Sequence, residues 1–152
     1  MAIVAAIDDS ERAVAVLEQA NELADRYDVS LHIVHVADPA VDFREEFTDV
    51  SENALRASRV ADEIMERAQD TAADIASESA EYVDGLEEYE AVGLVGDAAE
   101  VIRNYASEQD AEYIVVSGRK RRPLGQALFG SVTQALLLNA DCPVVAVPQD
   151  DL

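Results

Sequence analysis

The sequence holds no tryptophan, a single cysteine (Cys142) and a single lysine (Lys120), and no apolar run in it approaches the roughly 18 residues of a membrane span. Each shortage excludes something. One cysteine cannot close an internal disulfide, and beside Pro143 at the start of an apolar stretch it reads as a small buried hydrophobe, not as a reactive thiol. Aromatics make up 5% of the residues while hydrophobics make up 49%, so the core rests on Val, Ile, Leu and Ala. The opening Met1-Ala2-Ile3-Val4-Ala5-Ala6-Ile7-Asp8 has no basic start and too short an apolar stretch for a signal peptide. A cytoplasmic protein without a membrane partner is expected.

Positive charge is scarce too. Acidic residues number 32 against 11 basic ones, a net charge of −21, and all the basic residues but Lys120 are arginines. Self-repulsion on this scale works against a compact state in dilute buffer. At molar salt the screening length falls to about 3 Å and the repulsion is damped. An acidic, lysine-poor surface on an ordinary core is the composition expected of a halophile. An acidic mesophilic protein is the alternative, and it leaves the missing lysines unexplained. Disorder is excluded by the high and periodic apolar content. At 152 residues the chain makes one domain, 1–152, large enough to bury a core.

Along the chain, strand and helix patterns alternate. Residues 3–7 form a short, wholly apolar run, the mark of a strand covered on both faces. Asp9 or Ser10 is placed to cap the helix that follows, in which Ala13, Val16, Leu17, Ala20, Leu23, Ala24 and Tyr27 recur at helical spacing. A second strand spans 30–36. Residues 37–50, with Pro39, Phe43 and Phe47, read as a loop. A long helix over about 51–80 presents Leu55, Ala61, Ile64, Ala68, Ala72 and Ile75 on one face. A third strand lies within 88–95, and Asp97 with Glu100 caps the helix after it. The fourth strand is Tyr113–Val116, a last helix covers 131–140, and Val144–Val147 is the final strand. Strands joined by helices imply an α/β fold: one five-stranded parallel open sheet with helices on both faces. Ligands of such sheets bind beyond the carboxyl ends of the strands.

The stretch after the fourth strand carries the most chemistry. Arg119, Lys120, Arg121 and Arg122 stand in succession, and the chain then passes through Gly130-Ser131 into a helix start. Free N–H groups and the positive dipole end make such a start an anion site, to which the Ser131 and Thr133 hydroxyls add donors. The plainer reading is an S-x-x-Q capping box of Ser131 and Gln134, with Gly130 a turn and the basic run a solvated loop. His32 and His35 are an odd number of residues apart on one strand and face opposite sides, so they cannot share a metal.

Ile7-Asp8-Asp9-Ser10-Glu11, His35-Val36, Val95-Gly96-Asp97-Ala98-Ala99-Glu100-Val101-Ile102, and above all Tyr113 to Pro148 with Phe129-Gly130-Ser131-Val132 and Cys142-Pro143-Val144-Val145, resemble the universal stress protein family. The resemblance covers nearly the whole chain and implies a Rossmann-like fold of the adenine nucleotide alpha hydrolase type. Its ATP-binding members carry a loop G-x2-G-x9-G-[ST]. Counted back from Gly130-Ser131, the two earlier glycines fall on Lys120 and Ser117, and Gly118 is one place out of register. By this resemblance Asp8 contacts ribose and base, backed by Ala6 and Ile7, and Val36 lies against the adenine. Ser117 and Gly118 open the loop, and Gly130, Ser131, Val132 and Thr133 receive the phosphates.

The leading expectation is a stress-response module that binds ATP or another adenine nucleotide, with Mg²⁺, as a homodimer joined through the last strand. Its rival is a member of the same family that acts through protein contacts and no longer takes nucleotide, because the first part of the loop is altered. An enzyme, at most a slow ATP hydrolase, ranks last: there is no Walker-type lysine and no evident general base. A nucleic-acid partner is not expected of a body this acidic.

Overall fold

The computed structural model describes residues 1–37, 54–120 and 130–150. Its strands are β1 (Ala2–Ala6), β2 (Ser30–Ala37), β3 (Glu90–Val95), β4 (Ala111–Lys120) and β5 (Val144–Asp150). Between them run α1 (Arg12–Tyr27), α2 (Ala54–Ala80), α3 (Ala98–Glu108) and α4 (Ser131–Asn139). The strands pair in parallel in the order β3-β2-β1-β4-β5. The chain winds one way from β1 through β2 to β3 and the other way from β4 to β5, so the direction reverses between β1 and β4. Alternation along the central strands feeds two cores. Ile3, Ala5, Leu31, Ile33 and Val115 pack with α1 and the end of α2, while Val4, Val34, Ile114 and Val116 pack with α3 and α4. The expected five-stranded, doubly covered parallel sheet is the one observed.

The differences from the sequence reading lie at element ends. β4 and β5 each extend beyond the four residues expected and stay paired to Lys120↔Asp150. Pro148 is tolerated because β5 is an edge strand with no ladder on its outer side. α1 takes Glu11 as its N-cap residue without a side-chain bond; neither Asp9 nor Ser10 occupies that position. Asp97 does cap α3, accepting from the Glu100 amide at 3.2 Å. The Ser131–Gln134 capping box does not form. Ser131 is already the first helical residue and Gly130 holds the cap position, so the hydroxyl stands one residue too late. Residues 38–53, including Phe43 and Phe47, lie outside the described residues, as do 121–129 and the side chains of Arg119 and Lys120.

α2 lies close against the sheet because its inner face is built from alanine: Ala68, Ala72, Ala76 and Ala80 are all buried. Opposite them β3 carries Gly93, where a Cβ would stand 1.8 Å from the Gln69 carbonyl oxygen. Gly96, at φ 132°, turns the chain from β3 into α3 in a conformation that side chains resist. No helix of the described residues is long and apolar enough to cross a membrane.

Candidate functional site

At the reversal point the carboxyl ends of β1 and β4 diverge and leave a cavity of about 320 Å³, within the usual range of small-ligand sites. Several separate segments meet there. The end of β1 supplies Ala6, Ile7 and Asp8, the end of β2 supplies His35 and Val36, and the end of β4 with the start of α4 supplies Val116, Ser117, Gly130, Ser131, Val132 and Thr133. Every site residue named through the family resemblance lines this cavity except Gly118. That glycine is buried inside β4 opposite Pro148, where a Cβ would make ordinary contacts with β5. It is a strand residue with no part in the cavity wall.

The turn after β1 is held by hydrogen bonds. Ser10 Oγ donates to Asp8 Oδ1 and accepts from the Arg12 amide at 3.2 Å, which fixes one carboxylate oxygen and leaves the exposed Asp8 its remaining acceptor capacity. Asp8 therefore belongs to the turn and lines the cavity as well. Ile7 is tied to β2 from both sides: its amide donates to the Val34 carbonyl at 2.9 Å, and its own carbonyl meets His35 Nδ1 at 2.9 Å.

The α4 end is built differently from its sequence reading. Thr133 is buried, and its hydroxyl donates to the Ser117 carbonyl at 3.0 Å. That proton is thus spent on fastening the helix to β4 and is not offered to a ligand. Ser131, by contrast, is exposed in the first turn. Gly130 has φ −60° and ψ 161°, extended backbone open to any residue, and a Cβ built there meets nothing within 4 Å. Neither backbone strain nor packing among the described residues requires glycine at this position. Among those residues, what its missing side chain leaves is open space in front of the helix start.

Sequence reasoning missed Arg12, His35, Ala98, Ile102 and Val116 as cavity residues. Arg12 is the first residue of α1, and its carbonyl accepts from Gln149 Nε2 at 2.9 Å; Ala98 and Ile102 form the α3 wall. A usable signal existed, since the first turn after each strand end borders the crevice in this architecture. The other histidine is a core residue. His32 is buried on the opposite face, with Nδ1 2.5 Å from the Tyr105 hydroxyl and Nε2 3.1 Å from Glu90. Burial, with Glu90 and Glu108 adding to it, raises the Tyr105 pKa above its ordinary value. Partial burial likewise pushes the Cys142 thiol up; the residue is half-buried just before β5, short of the full burial its sequence context suggests. Among the described residues no group of three or more His, Cys, Asp or Glu side chains is placed to hold a metal ion.

Comparison with known proteins gives a consistent result. The chain matches the profile of the Universal stress protein family over residues 1–148. A universal stress protein of Mycolicibacterium smegmatis is 45% identical over 51 residues, which span 34% of this chain and 39% of that protein. Among solved structures, a universal stress protein from Archaeoglobus fulgidus superposes with a TM-score of 0.62 at 31% identity, covering 97% of this chain and 98% of that one. Another structure of the universal stress protein from that organism, in complex with dAMP, gives a TM-score of 0.56 at 27% identity, with 97% of each chain covered. The fold, the reversal-point cavity and these matches lead to one assignment: the chain belongs to the universal stress protein family.

Proposed function

We propose that the protein is a nucleotide-holding stress-response module, which takes ATP or another adenine nucleotide in the cavity between the ends of β1 and β4. The observation that carries this reading is Gly130. It stands at the cap of α4 in a backbone conformation open to any residue, with no packing contact among the described residues that requires glycine, at a helix start whose first N–H groups have no partner within the helix itself. A missing side chain in that place serves close approach of phosphate to backbone. The dAMP complex of the Archaeoglobus fulgidus relative supports the ligand class. Asp8 fits the donor groups of the sugar and Val36 the base, while Gly130, Ser131 and Val132 face the phosphates; Ser117 contributes through the carbonyl that holds Thr133. Asp8 is the only carboxylate among the described lining residues, so Mg²⁺, where present, is held chiefly by the nucleotide's own phosphates.

A second reading, a family member that no longer takes nucleotide, is favoured by a specific observation. Positive φ among the described non-glycine residues is confined to Asp28 and Asp110, so Ser117 and Lys120 are not in the conformation that the family's loop glycines supply. Residues 117–120 instead continue β4 in register with β5.

The proposed assembly is a homodimer through β5, the open edge of the sheet. Exposed Leu137 and Leu138 on α4, which packs beside β5, add apolar surface close to that edge. Val145 and Val147 pack into the core under α1, so lysine substitutions there test folding more than association. Native mass spectrometry of the untreated protein reads ligand and assembly together. The expected mass is twice the 16.4 kDa of one chain plus one adenine nucleotide per chain. A bare dimer that gains no mass on adding ATP favours the second reading, and a bare monomer removes both proposals.

The acidic surface belongs to the same proposal, as the adaptation of a cytoplasmic halophile protein. With 32 carboxylates against 11 cations, most carboxylates have no cation to pair with. The melting temperature is expected to climb steadily as KCl rises from millimolar to molar. A flat profile by calorimetry rules out the halophile reading and leaves the fold untouched.

A further inference from the structure

We infer that His35 is a specificity-determining residue of the cavity, whose Nε2 accepts a hydrogen bond from a donor on the nucleoside part of the ligand; this rests on the nucleotide reading above. The Ile7 carbonyl fixes the tautomer of the His35 ring. It has no proton to give, so the 2.9 Å contact requires that His35 Nδ1 carry the hydrogen and donate it. In the neutral ring the other nitrogen, Nε2, is then a bare acceptor. The two nitrogens diverge across the ring, so the one turned to β1 leaves the other directed away from it. No other hydrogen bond joins His35 within the described residues, and His35 is a half-buried wall residue of the cavity.

Its neighbours sharpen the point. Asp8, one residue beyond Ile7, contributes a carboxylate that only accepts. Val36, Ala6 and Ile7 add apolar side chains. The β1–β2 end of the cavity thus sets two side-chain acceptors, His35 Nε2 and the Asp8 carboxylate, against the ligand. The opposite end, at the α4 start, sets donors against it. A ligand matched to both ends brings anionic oxygens to α4 and hydrogen-bond donors to β1 and β2. An adenine nucleotide has both, and its donors are the 6-amino group and the ribose hydroxyls. A ligand with an acceptor in place of the donor leaves Nε2 facing a lone pair, and a partially desolvated acceptor without a partner is costly.

The test uses ATP, ITP (an oxo group in place of the 6-amino group) and 2′-deoxy-ATP (no 2′-hydroxyl), titrated calorimetrically into the wild type and His35→Asn. The asparagine amide nitrogen takes the place of Nδ1 and keeps the bond to Ile7, while Nε2 is lost. The wild type is expected to bind ATP about tenfold more tightly than one of the two analogues. In His35→Asn that ratio should fall toward one, with an unchanged melt. Loss of the ITP ratio assigns the donor to the base, and loss of the deoxy ratio assigns it to the sugar. Ratios that survive unaltered in the variant overturn the inference while leaving nucleotide binding intact. A wild type that binds none of the three overturns the nucleotide reading itself. Should His35→Asn unfold, nitrogen-15 imidazole spectra of the wild type, which has only two histidines, decide in mildly alkaline buffer. The His35 Nε2 resonance is expected to shift with ATP and not with the discriminated analogue, and an identical response to all three ligands refutes the role.

Discussion

Gly93→Ala is expected to lower the melting temperature by about 6–12 °C, the consequence of roughly 3 kcal/mol of overpacking in a chain this size. The added methyl would lie 1.8 Å from the Gln69 carbonyl oxygen and 2.8 Å from the Ala73 nitrogen. Both are backbone atoms of α2, so no side-chain rotation relieves the clash; the helix itself has to move. That helix rests on the sheet through Ala68, Ala72, Ala76 and Ala80, which are too short to bridge a wider gap. Lifting it opens voids along its length, and lost contacts add to the strain. Thermal unfolding of the variant beside a Gly85→Ala control separates the effect from glycine's general flexibility. Gly85, unlike Gly93, has positive φ, at 80°, so its substitution reads backbone strain alone: a Cβ there meets nothing within 4 Å. A Gly93→Ala melt that matches the wild type would show that α2 does not lie as close to β3 as described.

Gly130→Asp should abolish nucleotide binding, weakening it by roughly a hundredfold or more, and leave the melt unchanged or slightly raised. The opposite signs of these two effects make the substitution informative. Aspartate fits the backbone at φ −60° and has open space for its side chain. At an N-cap it satisfies helix N–H groups better than glycine does, a gain of a few tenths of a kcal/mol. The same carboxylate would occupy the volume proposed for phosphate and repel it. Calorimetry in molar KCl damps the charge repulsion but not the exclusion of volume, so the loss should persist there. Equal affinity in variant and wild type would place the phosphates elsewhere.

The parts of this molecule that could be read from sequence are those in which one short segment carries the whole signal. β1 and Tyr113–Val116 are continuous apolar runs, and the Gly130–Thr133 helix start follows a glycine directly. β3 was harder to bound because its residues are only partly buried and Glu87, Glu88 and Glu90 interrupt the apolar pattern at its start. The long ends of β4 and β5 were not visible because they depend on each other: Arg119, Lys120, Gln149 and Asp150 do not look like strand residues until they pair. Among the cavity-lining residues, those named from the sequence come from strand ends and a helix start. Of the missed ones, Arg12, Ala98 and Ile102 come from helices and His35 and Val116 from strands, and what brings Arg12 or Ile102 to the cavity is topology, not local pattern. His35 was known only to face away from His32; its bond to Ile7 follows from the β1–β2 register, which a single sequence does not contain. Gly118 was named through the family resemblance of the loop start, and it lies buried within β4, paired with Pro148 of β5.

The Thr133 hydroxyl bond to the Ser117 carbonyl has a kinetic consequence. It joins the first turn of α4 to the end of β4, so these two walls of the cavity move as one body. Under the proposed nucleotide reading, an arriving anion would meet N–H groups already aimed and would not wait for the helix to swing in. Association at this end would then be governed by encounter and loss of water, and differences in affinity among ligands are expected mainly as differences in how long each one stays.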